Sequence, residues 1–77
     1  MYTNPVSTSA TLTITVNGES RRIQPGATVI DLLQEIGLSS GRVAIERNFE
    51  ILPRDQWPTT QVQPNDRYEI VHFVGGG

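Results

Sequence analysis

The chain has 77 residues, of which 36% are hydrophobic, and it carries a formal net charge of −2 with a pI near 5.1. This length and apolar fraction allow one small domain with one modest core, and leave too little material for an enclosed catalytic cleft as well. The acidic balance provides no basic stripe, which argues against nucleic acid as a partner.

Two reactive side-chain types are missing from the sequence. There is no cysteine, which excludes disulfides, thiolate nucleophiles and cysteine-based metal sites. All six basic residues are arginine, so chemistry that needs a lysine side chain is excluded as well. Residues 1–10 lack the apolar core of a signal peptide, and no apolar run approaches the ~20 residues that span a bilayer. We therefore expect a soluble cytoplasmic protein.

The first part of the chain has the pattern of an extension followed by a β-hairpin. Residues 1–10 are rich in Ser, Thr, Asn and Pro and predict a flexible N-terminal extension. Residues 11–16 alternate between threonine and apolar side chains, as in a half-buried strand. Asn17-Gly18 is a strong signal for a type I′ turn. Residues 20–24 are the predicted return strand, which Pro25-Gly26 ends.

A short helix is predicted next. Thr28 is a typical N-cap residue, and Asp31 suits the first turn of a helix. Gly37 stands where a glycine commonly ends a helix. The apolar residues follow the i, i+3, i+4, i+7 spacing of one helix face: Val29, Leu32, Leu33 and Ile36. A helix of about nine residues is marginal alone, so we expect it to lie on a sheet.

The second half of the chain predicts further strands joined by loops. Residues 42–46 form a third strand with Val43 and Ile45 facing inward, and residues 49–52 form a short extended segment. Residues 54–57 predict one helical turn or a tight loop, in which Trp57 packs against the core. Residues 64–66 are turn-forming, and the last strand runs over residues 67–73.

This element order predicts the fold. A crossover helix after a hairpin requires a parallel strand pair, and the compact solution places the last strand beside the first. The result is an α+β domain of the β-grasp (ubiquitin-like) type, a mixed four- to five-stranded sheet packed on one helix. We expect this domain to comprise residues 11–73, with a flexible, reactive C-terminal tail over residues 74–77.

The tail is the main functional feature of the sequence. Glycines have no side chain to clash and no restriction on φ, so Gly75 and Gly76 could thread through a narrow slot on another protein. What such an end offers chemically is its carboxylate, and we predict Gly77 as the group that is modified. We regard a disordered tail or a cloning remnant as the weaker interpretation.

The strand that leads into the tail predicts a docking surface. By alternation, Val71 and Phe73 point away from the helix-covered face, and exposed apolar residues beside a reactive end suggest docking of an activating enzyme. We assign docking to Val71, Phe73 and Val74 in preference to packing under a loop. His72, the single histidine, is expected to be a partly buried structural residue.

No catalytic or metal-binding group is predicted. One histidine without cysteine or clustered carboxylates makes no metal site. Four carboxylates are predicted to be solvated on the surface and to form no acid–base pair: Glu46, Glu50, Asp55 and Asp66. Arg54 has two open interpretations, a role in fixing the loop after Pro53 and an ion pair with a partner.

Several motifs agree with one family. They are residues 16–19 (VNGE), 26–29 (GATV), 31–33 (DLL), 43–46 (VAIE), Asn48, Glu50 with Ile51, Pro53 with Arg54, Trp57, and residues 66–77 (DRYEIVHFVGGG). In these segments the chain resembles the ThiS family of sulfur carriers in thiamine biosynthesis, over residues 11–77. A terminal Gly-Gly alone would be weak support, whereas residues 73–77 on a β-grasp pattern are specific.

The resemblance implies a carrier and not an enzyme. In the family, an adenylating (E1-like) enzyme uses ATP and Mg²⁺ to convert the terminal carboxylate, here Gly77, to an acyl adenylate. Sulfur that originates from cysteine, delivered by an enzyme such as a cysteine desulfurase, then gives a thiocarboxylate. Thiazole synthase takes this sulfur for the thiazole of thiamine. The carrier itself is expected to bind no cofactor.

Two rival functions remain open from the sequence. One is a molybdopterin-synthase-type sulfur carrier subunit, whose tail also ends in Gly-Gly, although the residues before the glycines here favour the thiamine branch. The other is a ubiquitin-like modifier that is conjugated through Gly77 to a lysine of another protein. A stand-alone enzyme is disfavoured because the chain lacks the residues for catalysis.

Overall fold

The computed structural model describes residues 10–38 and 41–73. In chain order the elements are strand β1 (Leu12–Val16), strand β2 (Glu19–Ile23), helix α1 (Val29–Ile36), strand β3 (Val43–Arg47), strand β4 (Glu50–Ile51), a 3₁₀ helix (Arg54–Gln56) and strand β5 (Arg67–His72). The predicted elements are therefore present, and each predicted strand boundary lies within one residue of the observed one. Strand β4 is one residue shorter than predicted at each end, so Phe49 lies in the turn before it.

The strands form one mixed sheet with the order β2-β1-β5-β3-β4. The last strand lies beside the first, and these two central strands are parallel. The other neighbouring pairs are antiparallel. This is the predicted β-grasp arrangement, and it places the C-terminal strand in the middle of the sheet.

Helix α1 is capped at both ends by the residues that were predicted to begin and end it. The Thr28 hydroxyl accepts from the Asp31 N–H at 3.2 Å, and the Asp31 carboxylate accepts from the Thr28 N–H at 2.9 Å. This reciprocal capping box satisfies two N–H groups that the helix leaves unpaired. At the other end Gly37 has φ +91°, a conformation that glycine adopts without a Cβ penalty.

The core lies between the helix and the inner face of the sheet. It is formed by apolar side chains from every long element and from the loop before β5: Ile14, Ile23, Val29, Leu32, Leu33, Val43, Ile45, Trp57, Val62, Tyr68 and Ile70. Trp57 is only 2% exposed, and its Nε1–H donates to the Leu52 carbonyl at 2.9 Å. The prediction that Trp57 packs against the core is confirmed.

Arg54 covers an open stretch of strand β3. Strand β4 pairs only with Glu46 and Arg47, which leaves the earlier residues of β3 without a neighbouring strand on that side. The Arg54 guanidinium donates to the carbonyls of Gly41 and Val43 at 2.8 and 3.3 Å. It also lies 4.6 Å from the centre of the Trp57 ring, a cation–π distance. These contacts support the structural interpretation of Arg54.

Two expectations about burial were wrong. His72 is exposed, because it is the last residue of β5 and lies at the rim of the sheet, beyond the buried Tyr68 and Ile70 of the same strand. Asp66 is not solvated surface, since it is only 4% exposed. Its carboxylate accepts four hydrogen bonds, two of them from residues that are distant in sequence, Arg47 and Asn48. Within residues 10–38 and 41–73, no helix has the length and apolar character needed to cross a membrane.

Candidate docking site and tail exit

The end of strand β5 is held as far as Phe73 on the β3 side and as far as Ile70 on the β1 side. The Phe73 N–H donates to the Arg42 carbonyl at 2.7 Å, which extends the pairing with β3. On the other side, the Asn17 side chain substitutes for a strand residue: Ile70 N–H donates to its Oδ1 at 2.7 Å, and its Nδ2 donates to the Ile70 carbonyl at 3.1 Å. The domain therefore presents the tail from a rigid position.

The predicted docking residues have two different outcomes. Val71 and Phe73 are each 52% exposed, on the face of the sheet opposite the helix, so their predicted exposure is confirmed. Val74 lies outside the described residues, and so do Gly75, Gly76 and Gly77. Their predicted roles in docking, threading and modification stay predictions.

Val71 and Phe73 form one side of a shallow groove of about 520 Å³ on this outer face, which we call the outer groove. Its lining is mostly apolar and comes from β3, β4, β5 and the β3–β4 turn: Ala44, Ile45, Glu46, Phe49, Ile51, Glu69, Val71 and Phe73. An exposed, continuous apolar surface of this kind is typical of a protein-binding site. The groove leads directly to the point where the tail begins.

Two large apolar residues of the outer groove were not predicted from the sequence. Phe49 is 74% exposed and Ile51 is 69% exposed, more than any other large hydrophobic side chain among the described residues. The signal for Phe49 was its place directly after Asn48 in a tight turn. Ile51 lies opposite Glu46 in the β3–β4 pair. Strand β4 has only two residues, so alternation along it could not show which way Ile51 faces.

Phe49 has an unfavourable backbone conformation. The two-residue turn between β3 and β4 has positive φ at both positions, 52° at Asn48 and 72° at Phe49. Asparagine tolerates this region well, but a phenylalanine there is uncommon and costs of the order of 1 kcal/mol. The ring gains little from burial in return, although the Arg67 guanidinium lies 5.0 Å from its centre. A strained and exposed aromatic residue is better explained by binding than by stability.

Asp66 holds the turn that carries Phe49. Its Oδ2 accepts from Arg47 Nε at 3.0 Å, from the Gln63 N–H at 2.9 Å and from the Tyr68 hydroxyl at 2.8 Å. Its Oδ1 accepts from Asn48 Nδ2 at 3.1 Å. The carboxylate therefore links the end of β3, the β3–β4 turn, the preceding loop and β5.

These contacts shift the pKa of both acidic partners. Burial alone would raise the pKa of Asp66, but its four hydrogen bonds outweigh this effect and hold the pKa below the usual 3.8. Burial, assisted by the adjacent Asp66 carboxylate, raises the pKa of Tyr68 well above the usual 10.0. Tyr68 therefore stays protonated as a donor, and Asp66 stays ionised as an acceptor.

The described part of the chain offers no catalytic constellation. No group of three or more His, Cys, Asp or Glu residues is placed to hold a metal ion within it. The Asp66 carboxylate is buried and fully occupied by structural donors, so it is not available as a base.

The chain is similar to one protein family and to proteins of known structure. The ThiS family model matches residues 14–77. The sulfur carrier protein ThiS of Bacillus subtilis is 42% identical over 50 residues, which cover 65% of this chain and 76% of that protein. A crystal structure of the thiamine biosynthesis protein ThiS from Geobacter metallireducens has 30% identity and a TM-score of 0.72, over 86% of this chain and 100% of that one.

A relative of a different kind is also similar. A thiazole synthase of Paramagnetospirillum magneticum is 44% identical over 64 residues. The match covers 83% of this chain but only 20% of that protein. The chain therefore spans about a fifth of the length of this relative and resembles one segment of it.

Proposed function

Since the chain belongs to the ThiS family of sulfur carriers in thiamine biosynthesis, we propose that it carries sulfur as a thiocarboxylate on Gly77. In this proposal an adenylating enzyme, with ATP and Mg²⁺, joins AMP to the Gly77 carboxylate and releases pyrophosphate. A persulfide sulfur derived from cysteine, supplied by an enzyme such as a desulfurase, attacks the acyl carbon and expels AMP. Reductive cleavage of the resulting acyl disulfide by a thiol leaves the thiocarboxylate.

Adenylation overcomes the poor reactivity of a carboxylate. Direct attack by sulfur would have to expel an oxide-like leaving group, whereas AMP is a good one. The carrier contributes no catalytic group to this step and takes part as the protein substrate. The enzymes that act on it supply the cofactors.

The observation that best supports this role is the point at which the hydrogen bonding of strand β5 ends. Strand β5 is held by β3 as far as Phe73, and four residues follow it. Four extended residues reach at most ~14 Å, so an enzyme that acts on Gly77 must also contact the domain. The outer groove lies beside this exit and is the surface that we propose for that contact.

The fused relative supports thiazole synthase as the acceptor. A thiazole synthase that shares one polypeptide with a carrier-like segment indicates that the two activities work together. We propose that the thiocarboxylate of Gly77 transfers its sulfur to the thiazole that this enzyme builds. A cytoplasmic location, where these enzymes and ATP would meet, stays a prediction from the sequence.

Phe73 tests the docking role of the outer groove. Replacing Phe73 by glutamate is expected to weaken binding to the adenylating enzyme by at least about tenfold, because it puts a charge into an apolar contact. The side chain is already 52% exposed, so the unfolding midpoint of the carrier should change little. Calorimetric titration against the enzyme measures the affinity, and unchanged binding would remove Phe73 from the interface.

Intact mass spectrometry tests the proposed chemistry. The carrier is incubated with the adenylating enzyme, ATP, a desulfurase and cysteine, and its mass is compared before and after. The proposal predicts a gain equal to the exchange of one oxygen for one sulfur, located at Gly77 by fragmentation. Conjugates to other proteins that resist reducing agents, without this gain, would instead support the ubiquitin-like modifier.

A further inference from the structure

Two carboxylates face each other inside the outer groove. Glu46 on β3 and Glu69 on β5 are direct cross-strand partners, and both line the groove. Side chains in this relation have Cβ atoms about 5 Å apart, and like charges directly opposite destabilise a sheet. Nothing about the fold requires this arrangement, because β3 and β5 are also paired through their neighbouring residues.

The ion pairs of Arg21 and Arg47 do not include either groove carboxylate. Among the described residues Arg21 pairs with Glu35, and Arg47 pairs with Asp66. Arg47, next to Glu46 in sequence, is therefore engaged by Asp66. Arg67 lies on the same face as Glu69, but its guanidinium is placed over the Phe49 ring. The two carboxylates are thus left with apolar groove walls around them and only partial exposure.

We infer that Glu46 and Glu69 together bind one basic side chain of the adenylating enzyme, best an arginine, which enters the outer groove between apolar contacts. This inference rests on the proposed function. A planar guanidinium can donate to two carboxylates at once, and the surrounding Val71, Phe73 and Ile51 would exclude water from the contact. The repulsion between the two carboxylates, which destabilises the free carrier, is then relieved in the complex.

Charge complementarity favours the adenylating enzyme as the occupant. An enzyme that binds ATP beside the Gly77 carboxylate needs cationic side chains around its site to hold several negative charges. The carrier brings a net charge of −2, with two carboxylates concentrated in the groove that leads to the tail. Such complementarity mainly accelerates association and makes it sensitive to salt.

The test replaces the carboxylates by amides of the same shape. The variants are E46Q, E69Q and the double variant E46Q/E69Q, with E50Q as the matched control. Glu50 loses the same charge but does not line the groove. Affinity for the adenylating enzyme is measured by titration at low and high salt, and the unfolding midpoint of each free carrier is measured alone.

The inference predicts opposite changes in affinity and stability. The double variant should bind the enzyme about tenfold more weakly at low salt, with a shallower salt dependence, and each single variant should show part of this loss. The free double variant should unfold at a higher temperature than the wild type, because the repulsion is gone. E50Q should bind like the wild type.

The other outcomes separate this inference from the proposed function. If the wild type and the double variant bind the enzyme with equal affinity and equal salt dependence, the inference is wrong and the sulfur-carrier role stands. If the loss of affinity is seen with thiazole synthase and not with the adenylating enzyme, the inference that the adenylating enzyme binds the two carboxylates is wrong. If the wild-type carrier is neither bound nor adenylated, the proposed function fails, and this inference fails with it.

Discussion

Replacing Gly76 by valine is expected to reduce adenylation of the carrier by at least about 100-fold, since small misplacements of a reacting group have effects of this size. The reason is steric: a β-branched side chain widens the tail and restricts φ where glycine has neither limit. Gly76→Ala should have an intermediate effect. Formation of AMP-linked carrier, measured with labelled ATP, gives the rates.

The folded domain provides the control for this prediction. The hydrogen bonds that fix β5 extend to Phe73, which precedes Gly76, so the valine variant should keep the wild-type unfolding curve. It should also bind the adenylating enzyme within about threefold of the wild type, because the outer groove is unchanged. Adenylation of the valine variant at the wild-type rate would contradict the narrow-slot explanation.

The second large effect is expected on stability, from Asp66. Replacing Asp66 by asparagine should lower the free energy of unfolding by about 3 kcal/mol, as for other buried charges that lose their hydrogen-bonded pairing. Each carboxylate oxygen accepts at least one hydrogen bond, and Oδ2 accepts three. An amide group necessarily turns its NH₂ towards at least one of these donors.

The stability difference between the wild type and Asp66→Asn should depend on pH. The folded pKa of Asp66 lies below its usual 3.8, so the fold favours the ionised form. This contribution is complete above the unfolded pKa and is lost as the pH falls through the folded pKa. The difference should therefore be constant from about pH 6 to 8 and should shrink below about pH 4.

Urea unfolding, followed by the fluorescence of the buried Trp57, measures both effects. Asp55→Asn is a suitable control, because Asp55 is exposed and the same charge is removed. That variant should unfold like the wild type at neutral pH. A stability difference for Asp66→Asn that stays constant down to pH values well below 4 would show that the ionised carboxylate is not what stabilises the fold.

The fold was predictable because its signals are local. Asn17-Gly18 forms the first turn with φ values of 50° and 84°, and Thr28 with Asp31 forms the capping box. Each feature depends on residues within a few positions. The crossover rule then left one compact way to place the last strand, and the structure has that arrangement.

The polar network was not predictable in the same way. Asp66 follows Pro64-Asn65, and in sequence it looks like an ordinary turn residue. Its partners Arg47 and Asn48 are 19 and 18 residues away, and they meet it only because β3 and β5 are neighbours. A local sequence pattern does not show contacts between residues so far apart, so Asp66 was predicted to lie on the surface.

Only part of the candidate site was predictable from the sequence, again because some of its residues meet through long-range contacts. Alternation along one strand gave the exposure of Val71 and Phe73. The outer groove also needs Phe49 and Ile51, and its charged floor needs Glu46 opposite Glu69. These residues come together through the register between strands, which a single sequence does not specify.

We propose that the sulfur of the thiazole passes through Gly77 of this chain. To test this, the carrier is loaded from cysteine labelled with a heavy sulfur isotope, purified, and added to thiazole synthase with unlabelled cysteine and the other substrates. The label should leave Gly77 and appear in the thiazole product in equal amount. Unlabelled thiazole, formed while the label stays on the carrier, would contradict this proposal.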